Sequence, residues 1–449
     1  MSSNAETVAV KLFIDKEKQR VLFAESDKEF VDVLFSFLTL PLGTIVRLLG
    51  KQSGVGCLDE VYKSVESLSI DHFQTKACKA MLLRPLNAAA SQCGQLKMRL
   101  DDTNPREIGI CLNPNCYMSS YSSVPDAVCK LSGCGRALTF AEHPQIVHAS
   151  FGYDGDGGFV KSEAVYFHYH HVFSPYFQIT SLLKRALVSQ QALSGLIFDV
   201  AITPDALNLD QLPENNLKQP KQAEHRKIPA QIARGTLLVQ TKDNDSLLYE
   251  EAGADFIDLV FSLLCTPLGS VIKAYGQWSP NGCIDNLYRC IAGRGYIKEE
   301  CQDLLLSPKW APHFGCSINV LQVNELDARM LQVKCYTCLR AFRHTCHCKL
   351  PGHNIIRLNE TNPKASGSYI KGGPRNFIVT DSLRILHFSL ANTLQLLREA
   401  KIPKEKLVEK EISLDETQVL KLLRAAILTG EALSSTLLPH KKKRHANHY

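Results

Sequence analysis

The chain reads as α+β: two homologous tandem units, each a β-hairpin followed by several helices, with a small cysteine-bearing, β-rich insertion. Three observations predict this. The run from Phe30 to Tyr62 returns from Phe256 to Tyr288 at a constant offset of 226, with 14 of 33 positions identical. Each copy opens with two short β-prone runs and then changes to the apolar spacing of a helix. Each copy also carries four cysteines grouped as two close pairs.

The elements follow in order. Residues 10–14 and 20–25 flank a charged turn at 15–19, and residues 236–240 and 246–250 flank another at 242–245, so each pair reads as a hairpin. Apolar helices are predicted over 28–38 and 255–264, stopped by Pro41 and Pro267, which cannot continue them. Second helices begin after Gly56 and Gly282. Asp59 and Asp285 stand in their first turns, where a negative charge complements the helix N-terminus. Third helical stretches end at Pro85 and Pro308, each seven residues beyond its cysteine, Cys78 or Cys301. After a polar cysteine-containing segment, the last match pairs residues 182–194 with 422–434.

That last offset is 240, whereas Phe159 and Val160 pair with Tyr369 and Ile370 at 210. The first copy therefore lacks about 30 residues that the second keeps within 381–412, among them a predicted helix over 390–401 stopped before Pro403. Residues 208–234 are rich in Pro, Gln, Asn and charge, and read as a linker. The expected organisation is a first repeat at 8–207, a linker at 208–234, a second repeat at 235–438 and a basic disordered tail at 439–449.

Bulk properties exclude some classes. At 449 residues, 45% hydrophobic and 21% charged, the chain has the composition of a globular protein with sizeable cores. Its net charge of +6 is mostly terminal: Lys441, Lys442, Lys443 and Arg444 supply four of the six charges. A body this close to neutral speaks against nucleic acid as a partner, because phosphate neutralisation dominates that affinity. The basic tail resembles a nuclear localisation patch, the plainer reading being a solvated end. The first ten residues lack a basic start followed by an apolar run, so no secretory signal is expected. No apolar run approaches the roughly 20 residues that span a bilayer. The expected compartment is cytoplasm or nucleus, where 16 cysteines serve as metal ligands or packing residues before disulfides.

The first copy's spacing is Cys111-x4-Cys116, then Cys129-x4-Cys134; the second's is Cys335-x2-Cys338, then Cys346-x-Cys348. Two cysteine pairs a short loop apart suit a tetrahedral zinc ion, each pair folding a turn around one edge. Pro114, Gly133 and Gly135 favour sharp turns beside the ligands. Zinc is therefore expected at Cys111, Cys116, Cys129 and Cys134, and again at Cys335, Cys338, Cys346 and Cys348, as zinc-ribbon-like insertions. His344 and His347 are possible substitutes in the second set. Four thiolates leave no position for water, so the role is structural rather than catalytic.

Other motifs fare less well. Cys57 and Cys283 precede a helix, where a thiol can become reactive, yet a packing role is the simpler reading. Gly50, Gly54 and Gly56 suggest a phosphate loop, but the second copy has Pro280 and Asn281 in the corresponding stretch and no Lys-Ser/Thr pair follows. The glycine- and aspartate-rich residues 152–158 lack the closing Glu of a calcium loop. His168 and His170 share one face of a strand-like run that also holds His171, and the second copy has no histidine there. No nucleophile elbow, metalloprotease helix or kinase signature is present.

With the hairpin, Phe-x-Asp-x2-Phe-Ser-x-Leu, Pro-Leu-Gly and Gly-Cys-x-Asp-x2-Tyr in view, the chain resembles a plant-restricted family catalogued as domain of unknown function 674. The resemblance is strongest at residues 11–62 and 237–288 and covers nearly the whole chain. It implies a plant cytosolic or nuclear protein, cysteine pairs like those above, and no assigned activity.

The function expected is a non-enzymatic protein-binding or scaffold module with structural zinc. Its partner is an unidentified protein, and neither nucleic acid nor membrane is expected. The alternatives are an enzyme of unknown reaction using residues shared by both repeats, or a zinc-dependent nucleic-acid-binding protein. Asp32 and Asp258, Asp59 and Asp285, and Tyr62 and Tyr288 are the shared polar candidates, each read first as a helix-terminal or packing residue.

Overall fold

The computed structural model describes residues 8–438 except 105–106, 114–115, 117–119, 132, 143–157, 162–170, 174–175, 201–235, 242–246, 294, 296, 329, 334–355, 366 and 373–376. In the first copy, β1 (Val8–Asp15) and β2 (Arg20–Ser26) form the hairpin, followed by helices α1 (Lys28–Ser36), α2 (Leu42–Leu48), α3 (Leu58–Ser67), α4 (Lys76–Leu83) and α5 (Ala90–Cys93). Strands β3 (Glu107–Ile110), β4 (Ser120–Ser122), β5 (Thr139–Glu142) and β6 (His171–Phe173) precede the closing helices α6 (Tyr176–Val188) and α7 (Ala192–Ile197).

The second copy repeats the pattern: β7 (Thr236–Thr241), β8 (Leu247–Ala252), α8 (Ala254–Cys265), α9 (Leu268–Tyr275), α10 (Ile284–Gly293), α11 (Glu299–Leu306), β9 (Met330–Val333) and β10 (Ile356–Glu360). It then adds β11 (Phe377–Val379), β12 (Ile385–His387) and α12 (Leu390–Ala400). The chain returns through β13 (Leu407–Ile412), α13 (Glu416–Leu428) and α14 (Ala432–Leu437).

Local chemistry sets several boundaries. The Asp27 carboxylate accepts from the Phe30 N–H to start α1, and Asp415 with Gln418 closes a reciprocal capping box on α13. Lys401 takes a left-handed conformation at the end of α12, two residues before Pro403. Pro41 and Pro267 end one helix and also begin the next. Each is the N-cap of a short helix, α2 or α9, that the reading of proline as a stop does not anticipate. Each copy closes on two helices, separated by short breaks at residues 189–191 and 429–431.

The two copies interleave. Leu42 N–H donates to Thr266 O and Leu268 N–H donates to Leu40 O, both at 3.0 Å, so equivalent backbone groups exchange bonds across a pseudo-two-fold axis. The last turn of a helix leaves carbonyls without intrahelical donors. Here the other copy supplies them: Cys57 N–H donates to Ala426 O of α13 at 2.7 Å, and Cys283 N–H to Ala186 O of α6 at 2.9 Å. Gly56 and Gly282 make this approach possible, because an added Cβ would lie 2.3 Å from Ala426 O and 2.5 Å from Leu187 O respectively. Phe37, Leu38 and Leu40 share one continuous buried apolar cluster with Phe261, Leu264 and Leu268. Each such side chain contributes about 1.5–3 kcal/mol of burial.

The strands form three sheets, ordered β2-β1-β6, β5-β3-β4-β10-β9 and β12-β11-β8-β7-β13. The middle sheet changes the expected picture of one separate β-rich insertion per copy. β4 and β10 run parallel, Ser120 beside Asn359 and Tyr121 beside Glu360, so strands of both cysteine segments belong to a single sheet. Among the described residues, no helix is long and apolar enough to cross a membrane.

Candidate metal centre

β3, an interior strand of the shared sheet, ends immediately before Cys111, and Cys116 N–H donates to Asn113 O at 3.0 Å. The other pair sits on a tight hairpin knuckle. Leu138 N–H donates to Ala127 O, Cys129 N–H to Arg136 O and Cys134 N–H to Leu131 O, at 2.8–3.0 Å. Gly133 (φ 81°) and Gly135 (φ 58°) take the left-handed conformations that let the knuckle close.

These turns bring the four sulfur atoms within 4.8 Å of one another. Cys111 Sγ lies 3.7 Å from Cys134 Sγ, and Cys116 Sγ lies 3.8 Å from Cys129 Sγ. A tetrahedron with metal–sulfur bonds of about 2.3 Å has edges of about 3.8 Å. Two opposite edges of the cluster match that length, and this cluster could hold a metal. Cys111, Cys116 and Cys129 are buried, whereas Cys134 is half-buried.

The surroundings treat the thiols unequally. The Arg136 backbone, then the Asn113 amide at 3.5 Å, hold the Cys134 thiol down at about 6. A hydrogen bond to Cys134, then burial, pushes Cys116 up, and burial raises Cys129. Asn113 is a supporting contact that spacing did not reveal; its position between Cys111 and Pro114 on the first turn was the available signal. Cys335, Cys338, Cys346 and Cys348, with His344 and His347, lie outside the described residues.

The other candidates resolve differently. Cys57 is buried, its Sγ donates to Thr429 O at 3.1 Å, and burial pushes its thiol up to about 12. Burial also raises Cys283. Asp32 accepts from the Phe159 and Val160 N–H groups at 2.6 and 2.9 Å, and Asp258 from those of Tyr369 and Ile370, both at 3.0 Å. These anchored strands cross to the other copy, where Lys298 N–H donates to Phe159 O and Gln74 N–H to Tyr369 O. Burial lifts both carboxyls to about 6, against the pull of their backbone hydrogen bonds.

Asp59 accepts from Ser53 N–H and Oγ, and Asp285 from Trp278 N–H at 2.6 Å. Tyr62 donates to Leu83 O at 2.8 Å and Tyr288 to Leu306 O at 2.7 Å. All six shared polar residues thus bind the protein's own chain. Gly158 (φ 89°) lies against Asp32, with an added Cβ 2.0 Å from Oδ2. The rest of that glycine-rich run, His168 and His170 lie outside the described residues. His171 is placed only by its pairing with Val10.

Comparison with curated proteins and with solved structures finds no match. A family model described as protein of unknown function (DUF674) matches residues 4–168, 176–337 and 298–449. With repeated matches that cover most of its length, the chain belongs to the DUF674 family.

Proposed function

We propose that the chain is a non-enzymatic protein-binding or scaffold module with a structural zinc ion that fixes the cysteine-bearing loops of its first repeat. The observation that carries the reading is four sulfurs within 4.8 Å of one another, with two opposite S–S separations of 3.7 and 3.8 Å, the length of a zinc–thiolate tetrahedron's edge. Zinc fits the donor set, because four thiolates suit a tetrahedral ion of its softness and disfavour magnesium and calcium. Cys111, Cys116, Cys129 and Cys134 fill every position, so the ion would fix the loops and activate no water. The shared acids and tyrosines support the same reading, each being engaged with the chain's own backbone.

The test is zinc per chain by atomic emission on reduced protein, for wild type and for Cys111→Ser and Cys335→Ser separately. The expected result is about one ion lost with Cys111→Ser, and a second lost with Cys335→Ser if the second set also binds. Metal-free wild-type protein contradicts the reading.

A further inference from the structure

We propose that Cys134 is a peroxide-sensitive ligand, whose oxidation joins it to Cys111 and expels the metal. The proposal rests on the four-thiolate reading and adds an oxidative modification site to it. Accessibility distinguishes the four sulfurs. Cys111, Cys116 and Cys129 are 2%, 3% and 4% exposed, and Cys134 is half-buried. Its neighbours Gly133 and Gly135 are exposed, and an added Cβ on either would meet nothing within 4 Å. Cys134 is therefore the most exposed of the four ligands.

The partner for that sulfur is already in place. Cys111 Sγ at 3.7 Å must close by about 1.7 Å to reach disulfide length. That step is short for two residues on separate turns. A hydroperoxide supplies the oxidant. The Cys134 thiolate attacks its distal oxygen, the O–O bond breaks, and hydroxide or alkoxide leaves and takes a proton from water, giving a sulfenic acid. The Cys111 thiolate then attacks the Cys134 sulfur: the S–S bond forms, the S–O bond breaks and a second hydroxide leaves. The two thiolates give up two electrons and the peroxide accepts them. Only Cys116 and Cys129 remain as ligands, too few to retain the ion.

Zinc-loaded full-length protein treated with hydrogen peroxide tests this, with zinc release read by a chromogenic chelator and disulfides mapped by mass spectrometry. The expected result is zinc release coincident with a Cys111–Cys134 disulfide, reversed by a dithiol reductant and added zinc. Cys134→His keeps a ligand that cannot form a sulfenic acid, and should release zinc at least about tenfold more slowly. Cys290→Ser, which removes an exposed cysteine outside the cluster, should release it at the wild-type rate. Zinc absent before treatment contradicts the metal reading itself. Zinc retained under peroxide, a first disulfide at Cys116–Cys129, or unchanged release from Cys134→His contradicts this proposal alone.

Discussion

The two hairpins share a pattern but not a covering. In the second copy Leu248 and Tyr249 are 7% and 6% exposed, packed with Val239 beneath Leu396 and Leu397 of α12. Their counterparts Leu22 and Phe23, at the offset of 226, are each 53% exposed. Phe23 instead stacks on Phe13 with ring centroids 4.2 Å apart, and the Lys11 ammonium sits over the Phe13 ring. The covering layer is β11, β12 and α12, of which β12 and α12 lie within 381–412, the stretch that holds the residues missing from the first copy. It also extends across the dyad: Ile385 N–H donates to Ser64 Oγ on α3 at 2.8 Å, whereas Cys290, the equivalent of Ser64 on α10, is exposed. The exchanged backbone bonds at Leu42 and Leu268 stay symmetric. The repeats thus hold a common interleaved centre constant and differ in what is laid over it.

The largest effect should come from the constant centre. Gly56→Ala forces a Cβ against the Ala426 carbonyl at a left-handed φ of 47°, a cost of roughly 3 kcal/mol or more in chemical denaturation. A loss below about 1 kcal/mol would mean that the close approach between copies is not tight. Next comes pH. Asp32 and Asp258 titrate at about 6 in the fold, above their ordinary 3.8, so their contribution favours the fold at low pH and is lost as pH rises through 6. Each carboxyl contributes at most about 3 kcal/mol in this way. Asp32→Asn, which keeps an acceptor without the charge, should remove about half of the slope of stability against pH between 4 and 7. An unchanged profile would contradict the assignment.

The covering layer should separate the hairpins. Tyr249→Ala should cost about 2–4 kcal/mol and Phe23→Ala less than about 1 kcal/mol, from the difference in burial alone. Equal losses in urea titrations would show that the first hairpin is covered as well.

Much of this was legible in the sequence because it is local or repeated. The hairpins, the helices starting after Asp27 and Cys57, and the extra segment with its helix before Pro403 all follow from periodicity, caps and offsets. The short helices α2 and α9 escaped because a proline that terminates one helix also suits the start of the next. The exchange of carbonyl partners between copies was hidden for another reason. It joins Cys57 to Ala426, positions far apart in the chain, and only the paired glycines Gly56 and Gly282 hinted at a close backbone approach. The irregular Cys-x4-Cys pairs were visible as a metal candidate, but their convergence depends on the Ala127–Leu138 knuckle, which spacing does not encode.

The cluster is tested most directly by replacing its metal with cobalt(II) and recording the visible absorption of full-length protein and of Cys134→Ser. Four thiolate ligands predict strong tetrahedral ligand-field bands with sulfur-to-metal charge transfer, weakened and shifted in the variant. Weak bands of a water-ligated five- or six-coordinate ion, or a spectrum indifferent to Cys134→Ser, would contradict a closed four-cysteine site.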